Sequence, residues 1–149
     1  MLVRAATVLE LPAGRAWELL KRRDTFLFLT RGAMRYDGAD AWPETLMAPG
    51  VEIHTVVRPF GLPPGTPHTF RIVRVDEDAM EIETRESGGV IRVWNHAMKV
   101  EPIADDRCRY RDRIEIRAGL LTPLVWLFAS LFYRYRQARW RRLALATSP

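Results

Sequence analysis

The chain has little cysteine and histidine, and these shortages exclude several kinds of site. Cys108 is the only cysteine among the 149 residues, so neither an internal disulfide nor a cysteine-rich zinc site can form. The three histidines, His54, His68 and His96, show no short metal-ligand spacing, so no metal and no cofactor are predicted. We expect one domain, residues 1–149, in the cytoplasm, since this length can bury a core without disulfides or metals.

Long apolar runs and common catalytic motifs are also missing. The N-terminal segment has no basic stretch followed by an apolar run, and Glu10 interrupts its first apolar segment, so no secretory signal is predicted. The apolar run within 120–133 is shorter than the roughly 20 residues that cross a bilayer. The sequence contains neither a nucleophile elbow nor a phosphate-binding glycine loop.

The positive charge comes almost entirely from arginine. The net charge is +5, and Lys21 and Lys99 are the only lysines. A nucleic-acid surface needs these charges gathered on one face beside aromatic stacking residues, whereas most of these arginines are spread over several predicted strands and helices. Nucleic acid is therefore not a predicted partner.

The first third of the sequence predicts a strand, two short helices and a loop. Residues 2–11 form the strand, and Pro12 suits the start of a helix whose apolar side includes Trp17. Asp24 can cap a second helix over 25–30. The segment from 31 to 50 is rich in glycine, proline and aspartate, which favours a loop with room for one short strand.

Strand-like segments separated by turn residues then predict an antiparallel sheet. These segments are 51–59, 67–76, 79–86, 90–101 and 107–118. The last one has a clear period of two, with one face made of Arg107, Arg109, Arg111, Arg113, Glu115 and Arg117. That charged face must be exposed, so the alternate residues, which include Tyr110 and Asp112, are expected to face the core.

A long helix is predicted over 120–143, with Thr122 as its N-cap and Pro123 at its first position. Its first half is apolar nearly all round, which is typical of a core helix buried on most sides. A second interpretation is peripheral membrane docking, because aromatic residues such as Trp140 lie among the arginines of the second half.

The C-terminal third carries a family resemblance. It contains Trp94-Asn95-His96, the strand 110–116 (YRDRIEI), Gly119, Thr122 and the helical segment 133–140 (YRYRQARW). With the order of elements, this pattern resembles the START-like, helix-grip superfamily, and in particular its uncharacterised polyketide cyclase/dehydrase-type branch.

The resemblance implies an α+β fold in which a curved antiparallel sheet of about six or seven strands wraps around the C-terminal helix. Two short helices follow the first strand. Proteins of this superfamily bind hydrophobic ligands between sheet and helix, and only some of them catalyse. Their catalytic groups differ between subfamilies, so the resemblance assigns no catalytic residue to this chain.

One polar pair is expected inside the core. A turn centred on Ala104 places His96 opposite Asp112, with a register uncertain by about a residue or two. The carboxylate could orient the imidazole as a general base, while Tyr110 or Arg92 polarises a carbonyl group. The alternative is a structural pair that satisfies two buried polar groups.

The candidate ligand-binding residues are mostly large side chains on predicted inward faces. They are Trp17, His54, Phe70, Ile72, Met80, Ile82, Arg92, Trp94, Met98, Trp126 and Phe128. Residues of this kind are more often plain core than ligand contacts, and Cys108 is expected to be a buried thiol rather than a nucleophile. The expected functions, in order, are a carrier of a hydrophobic small molecule or lipid, a cyclase or dehydratase that uses His96 with Asp112 and Tyr110, and a membrane-docked protein.

Overall fold

The computed structural model describes residues 1–148. The strands are β1 (Leu2–Leu9), β2 (Met34–Tyr36), β3 (Glu52–Pro59), β4 (Thr66–Asp76), β5 (Glu81–Gly88), β6 (Ile91–Ala104) and β7 (Arg107–Arg117). The α-helices are α1 (Ala13–Leu20), α2 (Arg23–Thr30) and α3 (Thr122–Thr147). Two single turns of 3-10 helix occur at Ala39–Ala41 and Gly119–Leu121.

All seven of these strands form one antiparallel sheet in the order β1-β7-β6-β5-β4-β3-β2. Each strand from β2 to β6 pairs with the next in sequence, and β1 forms the far edge of the sheet beside β7. The sheet is curled into a half-barrel around α3. The predicted fold class, including the two short helices after β1, is confirmed.

The charged face of β7 is exposed, as its period of two predicts. Its burial alternates along the strand, and Cys108, Tyr110, Asp112, Ile114 and Ile116 are buried. This alternation places Asp112 on the side of the sheet that faces α3, where Gln137 contacts it.

The predicted register of the last hairpin is wrong by two residues. His96 lies opposite Ile114, and Met98 lies opposite Asp112. The turn is later than predicted because β6 continues to Ala104, which pairs with Arg107 after an irregularity in the ladder. His96 and Asp112 are therefore diagonal neighbours on one face, and diagonal side chains of this length can still touch.

The first half of α3 is more exposed than predicted. Leu120, Leu124, Leu127 and Leu131 are exposed, whereas the buried positions concentrate after residue 128. Those buried positions, spaced by three or four residues, are Ala129, Phe132, Tyr133, Arg136, Gln137, Trp140 and Ala144. The first half lies beside the cavity mouth described below, so the sheet covers only part of it.

The membrane interpretation loses its central residue. Trp140 is 0% exposed and packs in the core beside Tyr110, so it is not available to a lipid surface. Contact between the remaining arginines and a membrane stays a prediction. Among residues 1–148, no helix is long enough and apolar enough to pass through a membrane.

Two predicted helix caps are wrong. Helix α2 begins at Arg23, so Asp24 lies in its first turn rather than at its N-cap. Helix α3 begins at Thr122 itself, whose hydroxyl accepts from the Ala118 N–H and donates to the Gly119 carbonyl. The threonine thus fastens the preceding 3-10 turn instead of capping the amides of α3.

Candidate functional site

Asp112 is the centre of a buried hydrogen-bond network between the sheet and α3. His96 Nε2 and the Tyr110 hydroxyl both donate to Asp112 Oδ1 at 2.7 Å, and Gln137 Nε2 donates to Oδ2 at 2.7 Å. The carboxylate is therefore held by β6, by its own strand β7 and by α3. Since a buried charge is costly unless it is paired, these three donors explain how Asp112 is tolerated in the core.

The network keeps Asp112 ionised. Burial by itself raises the pKa of this carboxyl, but the hydrogen bond from His96, the charge of Arg136 and the hydrogen bond from Tyr110 together outweigh it. The pKa of Asp112 therefore lies below its ordinary value. Burial raises the pKa of Tyr110 well above its ordinary value, and the neighbouring carboxylate raises it further, so the phenol stays a donor.

The ionised carboxylate fixes the state of the His96 ring. Nε2 carries a proton because it lies 2.7 Å from Asp112 Oδ1, and in the neutral ring Nδ1 then accepts from the Tyr133 hydroxyl at 3.3 Å. Trp94 Nε1 donates to the same hydroxyl at 3.3 Å. The result is a chain of hydrogen bonds from Trp94 through Tyr133 and His96 to Asp112.

A cavity of about 590 Å³ lies between the concave face of the sheet and α3. Most of its wall is apolar and includes Trp42, Ile53, Phe70, Ile72, Trp94, Met98, Val125 and Phe128. The polar groups on the wall are Thr30, Tyr36, Thr66, His68, Thr84, Glu86, His96, Tyr133 and Arg136. Phe60, Val90 and Leu124 are both exposed and part of the wall, which places the mouth of the cavity beside the first half of α3.

A second histidine–carboxylate pair lies on the cavity wall. His68 Nε2 is 3.1 Å from Glu86 Oε2, and the Thr84 hydroxyl donates to Glu86 Oε1 at 3.0 Å. These residues come from the neighbouring strands β4 and β5. The pair faces the space where a ligand could lie.

Arg136 is the charged residue that α3 contributes to the wall. It is 3% exposed, and its guanidinium lies 5.2 Å from the centre of the Tyr133 ring. Burial lowers the pKa of Arg136, but Tyr110, Asp112 and Tyr133 raise it by more, so the side chain remains charged. Within residues 1–148, its Nε has no hydrogen-bond partner.

The structure divides the three predicted catalytic residues between the cavity wall and the layer behind it. His96 is part of the wall, whereas Asp112 and Tyr110 contact it from behind. The predicted contact between His96 and Asp112 is present despite the shifted register. Cys108 is buried, and burial raises the pKa of its thiol to about 11, so it is not an activated nucleophile.

Five of the eleven predicted ligand-binding residues line the cavity, namely Phe70, Ile72, Trp94, Met98 and Phe128. Trp17 and Ile82 are buried in the core away from it, and Trp17 Nε1 donates to Glu77. Met80 packs against the same core from the turn before β5. Trp126 is half-buried and donates through Nε1 to the Leu2 carbonyl, so its ring is committed to β1.

His54 and Arg92 are also misplaced by the prediction. His54 is on the outer face of β3, where Nε2 lies 2.9 Å from the exposed Glu52. Arg92 is exposed because the ladder between β5 and β6 is irregular near Gly88, and Ile91 takes the place on the wall. Arg92 is therefore not placed to polarise a ligand carbonyl.

Sequence reasoning missed Glu86, Arg136 and Gln137 as site residues. Glu86 follows Ile82 and Thr84 at a spacing of two, which is a signal that it shares their inward face. Arg136 and Gln137 follow Phe132 and Tyr133 by four residues and therefore lie on the same side of the helix. Within residues 1–148, no group of three histidine, cysteine, aspartate or glutamate residues is close enough to hold a metal ion.

The fold matches solved structures that are distant in sequence. A START superfamily protein from Mycobacterium smegmatis has a TM-score of 0.75 at 11% identity, with 97% of each chain covered. Norcoclaurine synthase from Thalictrum flavum, in complex with dopamine and hydroxybenzaldehyde, has a TM-score of 0.71 at 14% identity, covering 100% of this chain and 88% of that one.

Zhui aromatase/cyclase from Streptomyces sp. R1128 has a TM-score of 0.69 at 10% identity, covering 97% of this chain and 93% of that one. These likenesses establish the START-like helix-grip fold and confirm the predicted resemblance at the level of fold.

The sequence comparison places the chain in a family that is defined without an activity. No curated protein matches the chain. Residues 37–144, which run from just after β2 to the last turns of α3, match one family along most of the chain. The chain belongs to the family described as Domain of unknown function (DUF8410).

Proposed function

We propose that residues 1–149 act as a single ligand-binding domain that holds a hydrophobic small molecule or lipid between the sheet and α3. The observation that carries this proposal is the cavity of about 590 Å³, which has a mostly apolar wall and an apolar mouth. Cavities of this size are typical of sites for small organic molecules. We propose the cytoplasm as the site of action, which suits the single free thiol of Cys108.

A solved structure of the same fold supports this proposal by the molecules that it contains. The norcoclaurine synthase structure is a complex with dopamine and hydroxybenzaldehyde, so a protein of this fold can hold small aromatic molecules. The wall of the present cavity offers aromatic surface from Trp42, Phe70 and Phe128. Such surface suits a ligand with an extended apolar body.

The direct test is native mass spectrometry of the purified protein, followed by solvent extraction and identification of any bound molecule. We expect a stoichiometric apolar ligand or, if the protein is isolated empty, saturable uptake of an apolar fluorescent probe. An empty protein that takes up no probe would contradict the proposal.

A pair of matched variants localises the binding. Val57→Trp with Val125→Trp adds two indole rings to the cavity wall, and we expect at least a tenfold weaker binding of the probe, an order-of-magnitude estimate for loss of apolar contacts. Leu127→Trp with Leu131→Trp adds the same rings to the exposed side of α3, and its probe affinity should match that of the wild type. Equal effects of the two double variants would place the probe outside the cavity.

A second candidate is a cyclase- or dehydratase-type enzyme acting on an enolisable carbonyl compound. The observation that favours it is the position of His96, which lines the cavity while Asp112 holds Nε2 from behind. Nδ1 is the basic atom of such a ring, and the Tyr133 hydroxyl occupies it. A substrate proton would therefore reach His96 through Tyr133, or after the tyrosine hydroxyl has moved aside.

This candidate is tested by His96→Ala with a substrate chosen from the extracted ligand. Turnover should disappear while the circular dichroism spectrum and bound-ligand stoichiometry persist. His54→Ala is the matched control because His54 lies on the outer face of the sheet. Equal turnover by His96→Ala and the wild type would remove His96 from the chemistry.

A further inference from the structure

The guanidinium of Arg136 is an incompletely satisfied charge at the edge of the cavity. Asp112, the carboxylate whose charge acts on Arg136, is paired with His96. Glu86, the carboxylate of the cavity wall, is paired with His68. The hydroxyls of Tyr36, Tyr110 and Tyr133 contribute to its surroundings, yet Nε has no acceptor within residues 1–148. A buried donor without an acceptor is destabilising, and more so when it is charged.

The cavity is where a missing acceptor could enter. Gln137 Oε1 and Trp140 Nε1 also lack partners within residues 1–148, but neither residue belongs to the cavity wall. Arg136 is the one of these three residues that a bound molecule could reach. Its planar fork of N–H groups matches a carboxylate better than it matches a hydroxyl or an amine.

We propose that Arg136 is the polar anchor of the ligand, and that the ligand is an apolar molecule ending in a carboxylate. This inference rests on the proposed binding function and narrows it to a ligand class. The apolar body would lie along the wall formed by Phe70, Ile72 and Phe128, while the carboxylate accepts from Arg136. Asp112 accepts from His96, Tyr110 and Gln137, and within residues 1–148 it makes no hydrogen bond with Arg136 Nε.

The test compares decanoic acid, decanol and decylamine, which share one apolar chain and differ at the polar end. Isothermal titration calorimetry at pH 7.5 should show the acid binding at least about tenfold more tightly than the alcohol, as expected for a charge-assisted hydrogen bond. Decylamine should bind most weakly of the three, because its ammonium group has no lone pair to accept a hydrogen bond from Arg136. Arg136→Met should remove the preference for the acid while leaving the affinity for decanol within about threefold.

The matched control is Arg134→Met, which removes one positive charge from the exposed side of the same helix. It should keep the preference for the acid. Loss of that preference in both variants would indicate a general charge effect and overturn the assignment to Arg136. If Arg136→Met fails to fold, ¹⁵N-arginine spectra of the wild type decide, since the acid but not the alcohol should shift the Arg136 Nε–H signal.

Two further results separate this inference from the proposed function. Equal affinity of the wild type for acid and alcohol would overturn the carboxylate assignment and leave the apolar binding site intact. Binding of none of the three molecules, together with no uptake of the fluorescent probe, would overturn the proposed function and this inference with it.

Discussion

The protein holds two histidine–carboxylate pairs whose settings differ. The side chains of His96 and Asp112 are 3% and 0% exposed, and Tyr110 and Gln137 complete the coordination of the carboxylate. His68 and Glu86 are 10% exposed each, face the cavity and gain one further hydrogen bond from Thr84. The same two functional groups therefore tie helix to sheet in one place, where only His96 reaches the cavity wall. In the other place both groups belong to that wall.

The difference shows that the surroundings decide what such a pair can do. Removing Asp112 would leave three donors without their acceptor and would take away the negative charge that acts on buried Arg136. Removing Glu86 would leave His68 and Thr84 without this partner, but both line the cavity, where water can reach them. The first pair should thus be visible mainly in folding stability, and the second mainly in ligand contact.

The largest expected effect is that of Asp112→Ala, which should lower the free energy of unfolding by about 3–5 kcal/mol, because it leaves the buried charge of Arg136 uncompensated. Glu86→Ala should lower it by only about 1 kcal/mol, the net value of an ordinary hydrogen bond. Urea unfolding followed by tryptophan fluorescence measures both. Similar losses for the two variants would mean that their surroundings do not distinguish the pairs.

Gln137→Leu should have an intermediate effect. It removes one donor from Asp112 and leaves an apolar side chain of similar size, so we expect a loss of about 1–2 kcal/mol. Arg134→Leu, on the exposed side of the same helix, should leave the stability nearly unchanged. A Gln137→Leu protein as stable as the wild type would show that α3 does not depend on this hydrogen bond.

The pH dependence of stability tests the charge of Asp112 with a substitution, Asp112→Asn, that keeps the size of the side chain. Because the folded-state pKa of Asp112 is lowered from 3.8, its ionised form adds stability that is complete above the ordinary pKa. That stability is lost as the pH falls through the lowered value. The difference in unfolding free energy between wild type and Asp112→Asn should therefore stay constant above about pH 5 and shrink below about pH 4.

Urea titrations of the two proteins across this range measure the change. A difference that grows on acidification would mean that the folded protein raises the pKa of Asp112 instead of lowering it.

The inward position of Asp112 was predictable from the sequence, whereas the register of its hairpin was not. The period of two in β7 alternates charged and uncharged positions strongly enough to place Asp112 inside. The exact register was not predictable, because it depends on the irregularity near Ala104 that delays the turn. His96 and Asp112 still meet because a shift of two residues keeps each side chain on its original face.

Other features depend on tertiary packing that composition conceals. The arginines of α3 look alike in sequence, yet Arg136 is buried and Arg134 is exposed, since only the side that faces the sheet is covered. Conversely, the leucines from Leu120 to Leu131 looked like core but are exposed. Leu124 lies on the cavity wall near its mouth, whereas Leu127 and Leu131 lie on the side of α3 that the sheet does not cover. Hydrophobicity alone could not show where the sheet ends.

The smallest expected effect is a spectroscopic difference between the imidazole rings of His96 and His68. The ring proton on His96 Nε2 lies in a buried 2.7 Å contact with an ionised carboxylate, so it should exchange slowly with water and give a visible ¹H–¹⁵N signal at pH 7. Both rings line the cavity, but the His68 side chain is 10% exposed against 3% for His96, so its proton should exchange too quickly to be seen. Long-range ¹H–¹⁵N spectra should also show His96 with its proton on Nε2 and a bare Nδ1, the state in which Nδ1 accepts from the Tyr133 hydroxyl.

The variants His96→Gln and His68→Gln assign these signals to the two rings. If the slow proton belongs to His68, or if His96 carries its proton on Nδ1, then Asp112 does not hold the ring as described, and the route from Tyr133 to His96 as a base is lost.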